Sequence, residues 1–222
     1  MLKFYYHPLS PIARRVWITL LEKGLTFEPI IINLNGEQKK PEYLALNPFH
    51  HVPVLVDGEL RILESLAILD YLEAQYPTPS LHPESPAAIA KMRMVQMVTI
   101  NELTPKLPAL VLSNESPDPD EATLQHLATL LNFLSEQLGD SAYFGGANVS
   151  LADITAGTAF PLMTRLGIEL QNYPSLAAWY ERIIARNSWQ QTQLNEDAFQ
   201  TWKRWLLLQI KRRQRQRAKA AT

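Results

Sequence analysis

Four prolines within ten residues, Pro77, Pro79, Pro83 and Pro86, divide this sequence into two parts of different character. Proline lacks a backbone N–H and fixes φ, so a run this dense continues neither helix nor sheet and reads as a connection between domains. Before it, short apolar runs alternate with helical patterns. After it, only helical periodicity is found. The expected fold class is therefore an α/β domain followed by an all-α domain.

The first part spells βαβαββα. Residues 2–6 (LKFYY) read as an apolar, aromatic strand, and Ser10-Pro11 starts a helix through Val16, Leu20 and Leu21 that ends near Gly24. A second strand follows over 27–32. So short a strand, helix, strand unit predicts parallel strands joined by a right-handed crossover. A short helix over 41–46 leads to VPVLVDGELRIL, where 54–56 and 60–62 flank Asp57-Gly58, the preferred pair for a type I′ hairpin. A third helix carries Leu66, Leu69, Tyr71 and Leu72. Beyond the prolines, helices are predicted over 87–112 with a kink at Pro105 and Pro108, then over 121–138, 151–166, 175–186 and 199–217. The expected divisions are 1–77 for the α/β domain, 78–86 for the linker, 87–197 for the helical domain and 198–222 for a basic tail.

Charge and cysteine content narrow the chemistry. The 21 basic and 22 acidic residues leave a net charge of −1, yet residues 198–222 hold eight basic side chains and no acid. The rest of the chain carries −9 and offers nucleic acid no broad basic face, so no nucleic-acid partner is expected. With no cysteine, disulfides, thiolate metal sites and a protein thiolate nucleophile are all excluded. If the protein handles sulfur, a ligand brings it. No run approaches 18 apolar residues and no charged, then apolar leader opens the chain, so a cytoplasmic location is expected. There is no phosphate loop and no HExxH motif, and the five histidines lack ligand spacing beyond the adjacent His50-His51, so no metal is expected.

Several residues carry chemical potential. Ser10 precedes Pro11 at the start of the first helix, where a serine ordinarily caps the helix. The same hydroxyl, at the positive end of the helix, can donate to an anion held beyond the strand. Tyr5, Tyr6 and His7 are nearby alternatives. Val52-Pro53 precedes a strand, and the proline can leave the Val52 backbone free to pair with an extended peptide ligand. Glu64-Ser65 opens the third helix, so its N–H groups and the Ser65 hydroxyl suit a carboxylate. Gln38, Lys39 and Lys40 form a polar run before the second helix. Ser150 and Asp153 have capping-box spacing, a structural role. In the tail, Trp202, Trp205, Leu206 and Ile210 share one side of a helix, which suits docking onto the protein body. Contact with an anionic membrane surface is the weaker alternative. The final KRRQRQRAK is expected to be solvated and frayed.

Taken together, HPLSPIARRV, GEQKKPEYLALNPFHHVPVL, DGELRILESLAILDYL and NVSLADITAG resemble the soluble glutathione S-transferases, especially the serine-type, phi/theta-like classes. The resemblance covers roughly residues 1 to 195. It implies a thioredoxin-like domain followed by an all-helical one, a homodimer, and glutathione as co-substrate. By this resemblance Ser10 contacts the sulfur, and Val52-Pro53 is a cis peptide whose Val52 backbone pairs with the cysteinyl part. Glu64 and Ser65 receive the γ-glutamyl end, while Gln38 and Lys39 reach the glycyl carboxylate. Two departures stand out: His50-His51 replaces the family's usual glycine followed by Gln or Lys, which places His51 at the binding edge, and Gln38 stands where phi-like members commonly carry His. The implied activity is attack of the activated thiol on small hydrophobic electrophiles, with reduction of hydroperoxides as a possible second use. The electrophile is expected near Leu9, Ile12 and the inward face of helix 87–112, where Met92, Met94 and Met97 read first as core and second as pocket lining. The alternative is a non-catalytic binding or assembly module on the same fold.

Overall fold

The computed structural model describes residues 1–115 and 120–220, with side chains described through 216. Strand β1 (Leu2–Tyr6) buries Leu2, Phe4 and Tyr6 on one face and turns Lys3 outward, the alternation a half-buried strand requires. Helix α1 (Pro11–Glu22) follows, and β2 (Phe27–Ile31) returns parallel to β1, pairing Leu2 with Phe27 through Tyr6 with Ile31. A single 3-10 turn (Glu37–Lys39) and the short α2 (Pro41–Leu44) lead to β3 (Val54–Asp57) and β4 (Leu60–Leu63). The sheet order is β2-β1-β3-β4, with β3 antiparallel to both of its neighbours. Helix α3 (Ser65–Gln75) packs against α1, and Leu69 and Leu72 are fully buried.

The hairpin differs from its predicted form. Asp57 pairs with Leu60, so the two-residue loop is Gly58-Glu59 rather than Asp57-Gly58. Only Gly58 has positive φ, 60°, which is the type II′ arrangement rather than I′. Asp57 is held in the strand because its carboxylate accepts from the hydroxyls of Tyr71 (2.8 Å) and Tyr76 (3.1 Å).

The connection after α3 is irregular but tied down. Leu81 is buried, and the enclosed Lys23 ammonium donates to the carbonyls of Tyr76 (2.7 Å) and Pro79 (2.8 Å) and pairs with Glu73 at 2.6 Å. The second part is helical throughout its described residues. Helix α4 (Pro86–Val98) passes through a π turn (Thr99–Leu103) and a 3-10 turn (Thr104–Lys106) into α5 (Leu107–Asn114). The predicted kink is thus a change of helix type beside Pro105 and Pro108, where the missing N–H groups cannot continue the α ladder. Helix α6 spans Glu121–Leu138. The predicted helix over 151–166 is two pieces, α7 (Leu151–Gly157) and α8 (Phe160–Arg165), followed by α9 (Pro174–Ile184), α10 (Asn187–Thr192) and α11 (Glu196–Ala220). Helix α10 has no counterpart in the sequence reading, because at six residues it has too few turns to show periodicity.

The capping box at α7 forms as expected. Asp153, fully buried, accepts from the backbone N–H groups of Phe144 and Ser150, from the Ser150 hydroxyl and from the Trp179 indole, all within 2.7–2.8 Å. Burial pushes its pKa up, against the pull of these hydrogen bonds. The α7 and α9 segments are locked by this one carboxylate.

Helix α1 belongs to both parts. Val16 and Leu20 face the core, while Arg14 and Arg15, both buried, reach into the helical domain. Arg14 donates to Thr192 Oγ1 (3.1 Å) and the Trp189 carbonyl (3.4 Å); Arg15 donates to Thr104 Oγ1 (3.1 Å) and Thr158 Oγ1 (3.4 Å). Neither has a carboxylate partner among the described residues, and burial lowers both to about 10, so they stay charged at neutral pH. They fix the angle between the two halves at the helix that begins with Ser10.

Candidate functional site

Ser10 caps α1: its Oγ accepts from the Ala13 N–H at 3.2 Å, and its backbone is extended, as an N-cap requires. A hydroxyl that accepts there still has its own proton to donate outward. The residue is half-buried and lies on two adjoining cavities at once. The capping and functional readings of Ser10 are therefore compatible.

The larger cavity, about 670 Å³, runs along the open end of the sheet and brings together Ser10, Gln38, Lys39, His51, Val52, Pro53, Glu64 and Ser65. These residues span more than fifty positions of sequence and meet on one wall. The Val52-Pro53 peptide is cis. The Val52 backbone makes no backbone hydrogen bond among the described residues, so its N–H and C=O are available to an extended ligand. The adjoining strand edge is kept in place by the His51 carbonyl, which accepts from the Tyr43 hydroxyl (2.6 Å) and the Asn47 amide (2.9 Å).

Glu64 has φ 66° and ψ 122°, a conformation that costs a residue with a Cβ about 1–3 kcal/mol. It turns the chain so that Glu64 and the first N–H groups of α3 share the cavity wall with buried Ser65. An ammonium can be met by the Glu64 carboxylate and a carboxylate by the helix end and the Ser65 hydroxyl. Gln38 behaves differently from the expectation. Its amide donates to the Leu34 carbonyl (2.8 Å) and accepts from the Gly36 N–H (3.0 Å), so it first braces its own loop and has one N–H left for a ligand. Lys39 is exposed at the cavity rim.

The smaller cavity, about 330 Å³, is mainly apolar and contains Leu9 and Ile12 as predicted. Its far wall comes from Leu107 and Pro108 on α5 and from Trp202, Trp205 and Leu206 on α11. The methionines do not line it. Met92 is buried in the core, while Met94 and Met97 are exposed, because the helix changes type after Val98 and redirects its inward face. Tyr6 is also removed from contention. It stacks on Phe4 (4.7 Å) and meets Trp17 edge-on (5.1 Å), and burial raises its pKa. Tyr5 lines neither cavity. His7 does line the apolar one, accepting the Leu9 N–H on Nδ1 at 3.1 Å, and burial lowers its pKa, so it is neutral there.

Sequence reasoning missed Asn47 and the C-terminal helix. Asn47 is buried beside the cleft and was signalled only by the turn-forming Asn47-Pro48 pair. The tail docks by its aromatic half as expected, with Phe199 and Trp202 buried and the Arg165 guanidinium 3.9 Å above the Phe199 ring. Contrary to expectation the basic stretch is not frayed but continues α11, and part of it faces the larger cavity. Of that stretch, the side chains of residues 217–219 lie outside the described residues.

Two family descriptions match this chain: the N-terminal domain of glutathione S-transferases over residues 4–80 and their C-terminal domain over 87–187. The chain belongs to the glutathione S-transferase family. An Arabidopsis thaliana glutathione S-transferase is 33% identical over 202 residues, covering 84% of this chain and 94% of its own length. Glutathione S-transferase 3 of Zea mays is 35% identical over 208 residues, covering 86% and 92%. Among solved structures, a glutathione transferase from Populus trichocarpa superposes with a TM-score of 0.75 at 26% identity, covering 86% of this chain and 97% of its own. The plant relatives accord with the phi-like resemblance, and the thioredoxin-like domain followed by a helical domain is the fold observed. Among the described residues, no group of side chains could hold a metal and no helix is long and apolar enough to cross a membrane.

Proposed function

We propose that this glutathione S-transferase conjugates glutathione to small hydrophobic electrophiles, with Ser10 as the donor to the glutathione sulfur. The observation that carries this reading is the position of Ser10 at the junction of a polar, peptide-length cleft and an apolar cavity. Glutathione lies along the Val52-Pro53 edge, its γ-glutamyl end at Glu64 and Ser65 and its glycyl end toward Gln38 and Lys39. The electrophile occupies the cavity of Leu9, Ile12, Leu107 and Trp205.

A free thiol with a pKa of about 8.5 is only about 3% ionised at pH 7. Lowering it by about two units needs roughly 2.7 kcal/mol of preferential stabilisation of the anion. One hydrogen bond to a charged acceptor supplies about 1.5–3 kcal/mol, and the start of α1 adds about 0.3–1. Ser10 and its helix suffice. The thiolate then attacks the electrophilic carbon, the C–S bond forms, and the leaving group departs with its electron pair. With a hydroperoxide instead, the thiolate takes the distal oxygen and releases an alcohol, and a second glutathione converts the sulfenic acid to disulfide and water.

The enzyme works in a reducing compartment, the cytosol, where glutathione is kept as the thiol. It associates as a homodimer, and the exposed Phe49, Met94 and Met97 are apolar side chains that association would cover. Calorimetry with glutathione, followed by conjugation of an aryl halide, tests the whole reading. Micromolar to millimolar binding with turnover is expected. Binding without turnover would leave a non-catalytic module, and no binding by folded protein would remove the function altogether.

A further inference from the structure

We propose that Arg212 and Arg213, in the C-terminal half of α11, belong to the glutathione cleft and bind a carboxylate of the tripeptide, an inference that rests on the function proposed above. Helix α11 lies outside the residues matched by the family descriptions, which end at 187. Its first half is anchored. Trp202 is buried against the body, and Lys203 donates to Asn114 Oδ1 at 2.6 Å and pairs with Glu115. From that anchorage the helix passes the electrophile cavity at Thr201, Trp202, Trp205 and Leu206, then crosses the glutathione cleft at Gln209, Ile210, Arg212 and Arg213.

Helical periodicity makes this placement a property of one face. At 100° per residue, positions 205, 206, 209, 210, 212 and 213 fall within an arc of about 160°. Lys211 and Arg215 fall on the opposite side, and neither lines the cleft. The basic stretch is therefore divided into residues that face the ligand and residues that face solvent.

Charge matching gives the role. The cleft wall carries three cations, Lys39, Arg212 and Arg213, against one carboxylate, Glu64. Glutathione brings two carboxylates and one ammonium, and a second negative charge in excess once its thiol ionises. The Arg212 and Arg213 side chains are exposed, so their guanidinium forks are free to close on a bound carboxylate in the planar, two-point geometry that lysine cannot match. Because Trp205 and Leu206 wall both cavities, the same helix holds the two substrates against each other.

The test compares glutathione binding by the unaltered chain, by R212Q/R213Q and by K211Q/R215Q, which removes the same charge from the solvent side. The expected result is a Kd at least about tenfold weaker for R212Q/R213Q, with a shallower salt dependence, and a change within about twofold for K211Q/R215Q. Glutathione glycyl ethyl ester identifies the carboxylate. If the ester binds both the unaltered chain and R212Q/R213Q equally, the glycyl end is the partner; if the tenfold gap persists, it is the γ-glutamyl α-carboxylate. Equal glutathione binding by the unaltered chain and R212Q/R213Q overturns the assignment and leaves the transferase reading intact. Failure of the unaltered chain to bind glutathione overturns both.

Discussion

Replacing Ser10 with alanine removes two interactions that can be measured apart. One is the cap: Oγ accepts from the Ala13 N–H at 3.2 Å, and losing it costs about 1 kcal/mol of stability, read as a shift in the denaturant midpoint. The other is donation to the thiolate, worth about 1.5–3 kcal/mol, or roughly 1.1–2.2 units in the pKa of the bound thiol. If that pKa is about 6.5 in the unaltered enzyme, some 76% of bound glutathione is thiolate at pH 7. After Ser10→Ala the fraction falls to between about 20% and 2%, so conjugation at pH 7 drops about four- to fortyfold. The deficit shrinks as pH rises and the thiol ionises unaided. Titrating the ultraviolet absorbance of the bound thiolate against pH gives the shift directly, and Ser10→Thr, which keeps both hydroxyl functions, restores most of it. An unmoved thiol pKa in Ser10→Ala would refute the assignment of the donor, whatever happened to stability.

Leu9→Ala empties part of the apolar cavity without touching the glutathione cleft, so KM for an apolar electrophile rises about three- to thirtyfold while glutathione affinity holds. Steady-state kinetics with each substrate varied in turn distinguishes this from a general loss of fold. Asp153→Ala strands four donors, from Phe144, Ser150 twice and Trp179, and is expected to cost more than about 3 kcal/mol in equilibrium unfolding. A loss below about 1 kcal/mol would show that α7 and α9 are held by packing alone.

Much of the fold was legible because its signals are local. The Ser10-Pro11 start of α1, the alternation of β1 and the capping box at Ser150 each depend on neighbours a few positions apart. The hairpin was found but its turn was misassigned by one residue, since Asp57 is held in β3 by Tyr71 and Tyr76, which follow it by 14 and 19 positions. The family's usual glycine before the cleft has a visible reason in the backbone. His50 adopts φ 51°, a left-handed conformation that glycine takes freely and histidine tolerates better than most residues. Sequence shows the exchange of residue type there but not the dihedral that explains it.

What the sequence determined alone is the order of elements, the split at the prolines, and the absence of any protein thiol. These follow from backbone propensity, periodicity and composition, which act over short distances. Tertiary structure alone decided that Arg14 and Arg15 are buried between the halves, that the methionines of α4 avoid the cavity, and that α11 turns Arg212 and Arg213 toward residues some 150–170 positions earlier. Those outcomes depend on which surfaces meet when the chain closes, and the direction of a side chain in space is fixed only when its helix has docked.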